Sequence, residues 1–208
     1  MRDQDREEPV MKLVRGRYLL AIGAVVLVAG CGGSTDGEAQ PVGTVEATGS
    51  AGSTSTTEGS IPENVPSGFD PCVDITQEVL NSEGLRNKQP SSNEGSNGIR
   101  WQGCRWVQSD GYGATVSVTN ITVDMVRDNP DRTVRDEYTI GGREAIASHV
   151  SDEKDPKYVC TLHVAMNGGS LEFGLSNSPS RRKTGSTDTC VLARTLAEKV
   201  VPLIPAGA

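Results

Sequence analysis

Tyr112-Gly113-Ala114-Thr115-Val116-Ser117-Val118-Thr119-Asn120 is the stretch that decides the fold class. Ala114, Val116 and Val118 alternate with Thr115, Ser117 and Thr119, the period of a strand with one face in a core. Residues 100–108 just before it read as a second extended run, with Asp110-Gly111 as the turn between them. Further on, Gly141-Gly142 turns into 143–150, and a charged turn at 152–155 leads to 158–166. Asn167-Gly168-Gly169 then folds back into 171–175. Asp70-Pro71 is an N-cap with proline at the first helical position, and Val73, Ile75, Val79 and Leu80 give a short helix its apolar side before Gly84 stops it. Residues 91–98 read as a Gly/Ser/Asn loop. In 121–137, Val123, Met125 and Val126 can ride a short helix before Pro130. A last helix runs from about Asp188 to Val201, with Val191, Leu192, Ala193, Leu196 and Val200 on or near its core side and Pro202 at its end. The expected fold is α+β: an antiparallel sheet of four or five strands packed against an N-terminal and a C-terminal helix, its other face open.

Composition narrows the function classes. The 208 residues carry a formal net charge of −7, which argues against a nucleic-acid binder, since phosphate neutralisation needs a basic face. The notable apolar run lies near the N-terminus and is too short for a stop-transfer helix, so a polytopic membrane protein is not expected.

That N-terminus has three zones. Lys12, Arg15 and Arg17 form a basic cluster, residues 19–28 are apolar, and Ala29-Gly30-Cys31 follow. This is the layout of a secretory signal peptide. Leu27-Val28-Ala29-Gly30-Cys31 further resembles a bacterial lipobox, in which the cysteine thiol receives diacylglycerol and a dedicated peptidase cuts before it, here between Gly30 and Cys31. Two or more acyl chains on Cys31 suffice for stable anchoring. Met11, just ahead of the basic cluster, is an alternative start to Met1.

The expected organisation is a lipoprotein signal peptide (1–30), a lipidated Cys31 with a Gly/Ser/Thr-rich tether (31–66), and one disulfide-bonded domain (67–208). Residues 32–66 hold five acids, no Lys or Arg and no aromatic. Such a segment cannot bury enough apolar surface to offset its chain entropy and is expected to be disordered. From Ser67 onward, 18 acids against 15 bases leave the domain at only −3.

With Cys31 taken by lipid, Cys72, Cys104, Cys160 and Cys190 remain, an even count that reads as two disulfides in an exported domain. Three connectivities are open on spacing. The favoured one joins Cys72 to Cys104 and Cys160 to Cys190, tying the first helix to the first strand and a late strand to the last helix. A four-cysteine metal site lacks any Cys-x-x-Cys pair, and no metal or other cofactor is expected.

The order Asp70-Pro71-Cys72, Cys104-Arg105-Trp106, Gly141-Gly142-Arg143-Glu144-Ala145, Cys160 and Asp188-Thr189-Cys190 resembles an actinobacterial cell-envelope lipoprotein family of unknown function. The resemblance covers about residues 69–205. It implies a lipid-anchored protein on the extracytoplasmic side of the cell membrane and implies no reaction.

Catalytic motifs are lacking. His149 and His163 read as strand residues facing away from the core, and there is no His-Glu-x-x-His or Gly-x-Ser-x-Gly pattern. No catalytic residue is assigned. Trp101 and Trp106 fall on opposite faces of one strand. Trp106 goes to the core with Cys104, while Trp101 is a candidate ligand or partner contact on the open face. Arg181-Arg182-Lys183 is a second candidate, able to touch anionic head groups. The expected function is a non-enzymatic module binding an envelope protein or other envelope component. The alternative is a lipid or small-molecule carrier with a cavity between sheet and helices.

Overall fold

The computed structural model describes residues 61–208. The leader, Cys31 and the tether up to residue 60 lie outside the described residues. The elements are α1 (Pro71–Asp74), α2 (Gln77–Ser82), β1 (Leu85–Glu94), β2 (Arg100–Gln108), β3 (Gly113–Thr119), α3 (Val123–Arg127), β4 (Arg132–Ile140), β5 (Arg143–Val150), β6 (Val159–Met166), β7 (Gly169–Ser176) and α4 (Thr189–Val200).

The expected alternation in β3 is present, and it sits in the middle of one antiparallel sheet. The strand order is β1-β2-β3-β7-β6-β5-β4, so seven strands replace the four or five expected. Two meanders, β1-β2-β3 and β4-β5-β6-β7, meet where β3 pairs with β7. Gly141 and Gly142 have φ of +58° and +78°, the left-handed pair that a tight β4–β5 turn requires.

The two extra strands are the sheet edges. Residues 91–98, expected as a loop, instead continue β1 as far as Glu94. β1 is exposed along nearly all its length, so it has no apolar alternation to read, and Pro90 and a shifted register at Arg86/Gln89 blunt it as an edge. β4 was hidden in the same way: its register shifts between Val134 and Asp136, which breaks the period. The expected N-terminal helix is two short pieces. Ile75 is extended, with ψ of 112°, and Thr76 starts α2 by capping the Val79 N–H.

One sheet face is covered by α4 over β6 and β7 and by α1 and α2 over β1, β2 and β3. Asp188 caps α4 through the Cys190 N–H at 2.9 Å, and Ala193, Leu196, Ala197 and Val200 are buried against Phe173, Leu162, Val164 and Leu171. Val191, expected near the core side, is exposed instead. The disulfides are Cys72–Cys104, which ties α1 to β2, and Cys160–Cys190, which ties β6 to α4. Their sequence separations are 32 and 30 residues. On the chain-entropy model each stabilises the fold by about 3–4 kcal/mol.

Residues 62–66, assigned to the tether from sequence, lie against the domain. Asn120 is fully buried, and its Nδ2 donates to Pro62 O at 2.7 Å and to Gly98 O at 2.9 Å. Pro66 is buried and Val65 packs on the core.

Glu83, at the end of α2, joins three elements. It accepts the Tyr112 hydroxyl at 2.7 Å, pairs with Lys199 of α4, and its carbonyl accepts from Gln108 Nε2 at 2.7 Å. Burial and the neighbouring Glu83 carboxylate push the Tyr112 phenol well above its ordinary range. Glu83→Ala leaves the buried Tyr112 hydroxyl without an acceptor and should cost about 2–3 kcal/mol in urea unfolding. Glu83→Gln, which keeps an acceptor, should cost less than half of that. Removing Cys160 and Cys190 together by alanine substitution should cost about 3 kcal/mol by the same measurement.

Candidate functional site

The second sheet face carries the polar side chains. Register places Trp101, Gly103 and Arg105 of β2, Thr115 and Ser117 of β3, Ser170, Glu172 and Gly174 of β7, Thr161 and His163 of β6, and Ile146 and Ser148 of β5 on it. α3 crosses this face in the β3–β4 connection. Val123 and Val126 pack on Ile146, with Val134 and Ala165 beside them. Thr122 sets this helix by accepting the Met125 N–H at 3.2 Å.

Beneath and beside α3 lies a row of three side chains. The Ser170 hydroxyl donates to Ile121 O at 2.6 Å, so His163 Nδ1 must carry the imidazole proton and donate to Ser170 Oγ at 3.0 Å. His163 Nε2 then presents a lone pair without a hydrogen-bond partner, 3.6 Å from Glu172 Oε2. That same oxygen accepts the Trp101 indole N–H at 2.9 Å. Burial, reinforced by the Arg132 charge, pushes the His163 pKa down to about 3. Burial raises the Glu172 pKa, against the Trp101 hydrogen bond and Arg132. Both groups are thus drawn toward their neutral forms, and the contact is not a salt bridge at neutral pH.

The row has the composition of a serine–histidine–acid triad but cannot act as one as folded. Ser170 is wholly buried, and its proton is committed to a backbone carbonyl. A nucleophile must reach its substrate and hand its proton to the base. Here the base donates to the hydroxyl. No group of three or more His, Cys, Asp or Glu side chains among the described residues is arranged to hold a metal ion.

Sequence-derived candidates separate in space. Trp101 stands at one end of its strand, half-buried, its ring so close to Gly95 that a Cβ there would sit 3.0 Å away. Arg181-Arg182-Lys183 follow β7 at the other end. Arg182 pairs with Asp110, whose carbonyl accepts the Lys183 N–H at 3.2 Å. Arg181 lines a cleft of about 670 Å³ with Val107, Asp110, Tyr158 and Ser176. His163, expected to face solvent, is buried because α3 and the neighbouring strands cover its face, whereas His149 stays partly exposed with Nδ1 against Val150 O at 2.8 Å. Ser170, Glu172 and Arg132 were not singled out from sequence. Glu172 had a signal: a carboxylate on a strand whose other face is Leu171, Phe173 and Leu175. Arg132 had none, because β4 itself was not legible.

A second cleft, of about 280 Å³, is lined by Arg132, Val150, Val159, Thr161, Gly174 and Ser176 among others. Ser176 borders both clefts. The α4–sheet interface is lined by buried apolar side chains.

Among known proteins, a family model described as "Protein of unknown function (DUF3558)" matches residues 26–203. No curated protein and no solved structure matches the chain.

The His163 pKa makes stability pH-dependent with a defined sign. The folded value of about 3 lies below the ordinary imidazole value of 6.5, so the unfolded chain binds the proton more readily. The contribution is complete above about pH 6.5 and is lost as pH falls toward 3. Glu172, raised in the fold, works in the opposite direction and recovers stability on acidification. Chemical unfolding between pH 7 and 4 should therefore show His163→Gln losing less stability than the wild type, and Glu172→Gln losing more. Parallel pH profiles for all three proteins would refute this assignment.

Proposed function

Since the chain belongs to DUF3558, a family of unknown function, its role has to be read from its own residues, and we propose that it is a lipid-anchored envelope protein whose domain is a non-enzymatic binding module. The observation that carries the binding reading is the division of labour between the sheet faces. One face is closed by α1, α2 and α4, while the other holds a serine–histidine–acid row out of substrate reach and, beyond it, open clefts that end in arginines. Such a face offers contacts rather than an exposed nucleophile. Both sheet edges are blunted by shifted registers and charged side chains, which disfavours capture of a partner by strand addition.

Support for anchoring comes from the order of Lys12, Arg15, Arg17, the apolar run and Cys31, followed by a polar acidic segment. The family match begins at residue 26, inside the apolar run, and takes in Cys31 together with the domain. A lipid on Cys31 would place the domain on the extracytoplasmic side of the cell membrane, where both disulfides can persist. The unidentified ligand is an envelope protein or another envelope component, and no nucleic acid or cofactor is involved. The lipobox and four-cysteine pattern fits an actinobacterial host.

Two measurements test this reading. Phase partitioning of the full chain in a non-ionic detergent should send the wild type to the detergent phase and Cys31→Ala to the aqueous phase; equal partitioning would refute anchoring. A fluorophosphonate probe should leave Ser170 unmodified in the folded protein. Labelling that Ser170→Ala abolishes would overturn the non-enzymatic reading.

A further inference from the structure

Arg132 differs from the other half-buried arginines. Arg100 bonds Glu63 O and pairs with Glu94, Arg127 pairs with Asp124, Glu137 and Glu144, Arg135 pairs with Asp188, and Arg143 donates to the carbonyls of Ala165, Pro205 and Ala208. The Arg132 guanidinium has no hydrogen bond and no ion pair among the described residues, although burial already lowers its pKa. Glu172, the carboxylate whose charge it feels, is engaged by the Trp101 N–H and lies beyond ion-pair distance. A guanidinium drawn out of water without a counter-ion is costly, and the cost is recovered when an oxyanion binds it in two-pronged fashion.

The strands make room for such an anion. β5 pairs with β6 only from Ala145↔Val164 to Ser148↔Thr161. Beyond that point His149 and Val150 follow β4, while Val159 and Cys160 follow β7, and the cleft of about 280 Å³ opens in the gap. Arg132 lines it with the hydroxyls of Thr161 and Ser176, and Gly174 contributes no side chain. Ser148 is fully buried beside Thr161 in the ladder, and its Oγ has no hydrogen-bond partner. Val150 and Val159 form an apolar flank. Glu153, also in the lining, accepts the Asp155 N–H at 3.1 Å. Its charge favours a small, lightly charged anion over a polyanion.

We infer that the cleft between β5 and β6 is a receptor for a carboxylate or phosphate monoester group, with Arg132 as its charge partner and the hydroxyls of Thr161 and Ser176 as donors. The site does not depend on whether Cys31 is lipidated. The chemistry could be supplied by a soluble metabolite or by a lipid head group.

Titration calorimetry on the full chain in non-ionic detergent, at constant ionic strength, tests this with inorganic phosphate, glycerol phosphate and acetate against chloride. Co-sedimentation with phosphatidylglycerol vesicles, against phosphatidylcholine, tests the lipid source. Saturable binding of a soluble anion, weakened at least tenfold in Arg132→Gln and unchanged in Arg105→Gln, supports the site with a soluble ligand. Binding to the anionic vesicles alone, with the same dependence on Arg132, supports a head-group ligand. Should Arg132→Gln fail to fold, Arg132→Lys and the anion-induced amide shifts of Thr161 and Gly174 carry the same decision. No saturable binding to either source, or binding indifferent to Arg132, overturns the inference.

Discussion

The ladder between β3 and β7 is the interaction on which the rest of the domain depends. Its seven pairs, from Gly113↔Ser176 to Thr119↔Ser170, are the backbone junction between two meanders that are otherwise built from local hairpins. Neither disulfide crosses it. Cys72–Cys104 closes the first half onto its own helix, and Cys160–Cys190 closes the second half onto α4. The union of the halves therefore rests on non-covalent pairing, with Val116 opposite Phe173 and Val118 opposite Leu171 on the α4 side. Because such pairing is long-range in sequence, its formation must wait for a large loop to close.

Legibility followed burial. β2, β3, β5, β6 and β7 were readable because each presents a face to a core, and alternation is the imprint of that asymmetry. β1 presents nine polar or exposed positions after Leu85, so nothing in its sequence separates an edge strand from a loop. β4 keeps Val134 and Tyr138 partly buried, but the extra residue between Val134 and Asp136 puts them out of phase. Of the three disulfide pairings that spacing leaves open, the favoured one is the one present. The candidate site was less legible. Trp101 was singled out as a contact, but nothing in the sequence signalled that its indole N–H donates to Glu172, and the carboxylate, histidine and serine come from two strands that only the register aligns.

On the polar face a triad-like composition comes without triad geometry. Ser170, His163 and Glu172 sit in a row, but direction of donation and access decide chemistry, and both are wrong for acyl transfer. What the row does physically is fix the β3–β4 connection, because Ser170 holds Ile121 O just before α3 begins. Buried polar contacts of this kind contribute little net stability and much to the uniqueness of a packing arrangement. The cost is a histidine that stays neutral at acidic pH values where an ordinary imidazole takes up a proton.

The docking of residues 62–66 gives the domain a polarity. Asn120, Gly98 and Arg100, which receive this segment, lie at one pole of the strands, together with Trp101 and the β6–β7 turn. Val107, Arg132, Val150 and Arg181, which edge the two clefts, lie at the opposite pole. The strands between them, of seven to nine residues in β2, β3, β6 and β7, span roughly 20–30 Å. The chain ahead of Ile61 thus joins the domain at this first pole, and the arginine-edged clefts lie at the far one. Arg181-Arg182-Lys183, the basic run singled out for contact with anionic head groups, belongs to that far pole, a strand length from where the chain enters.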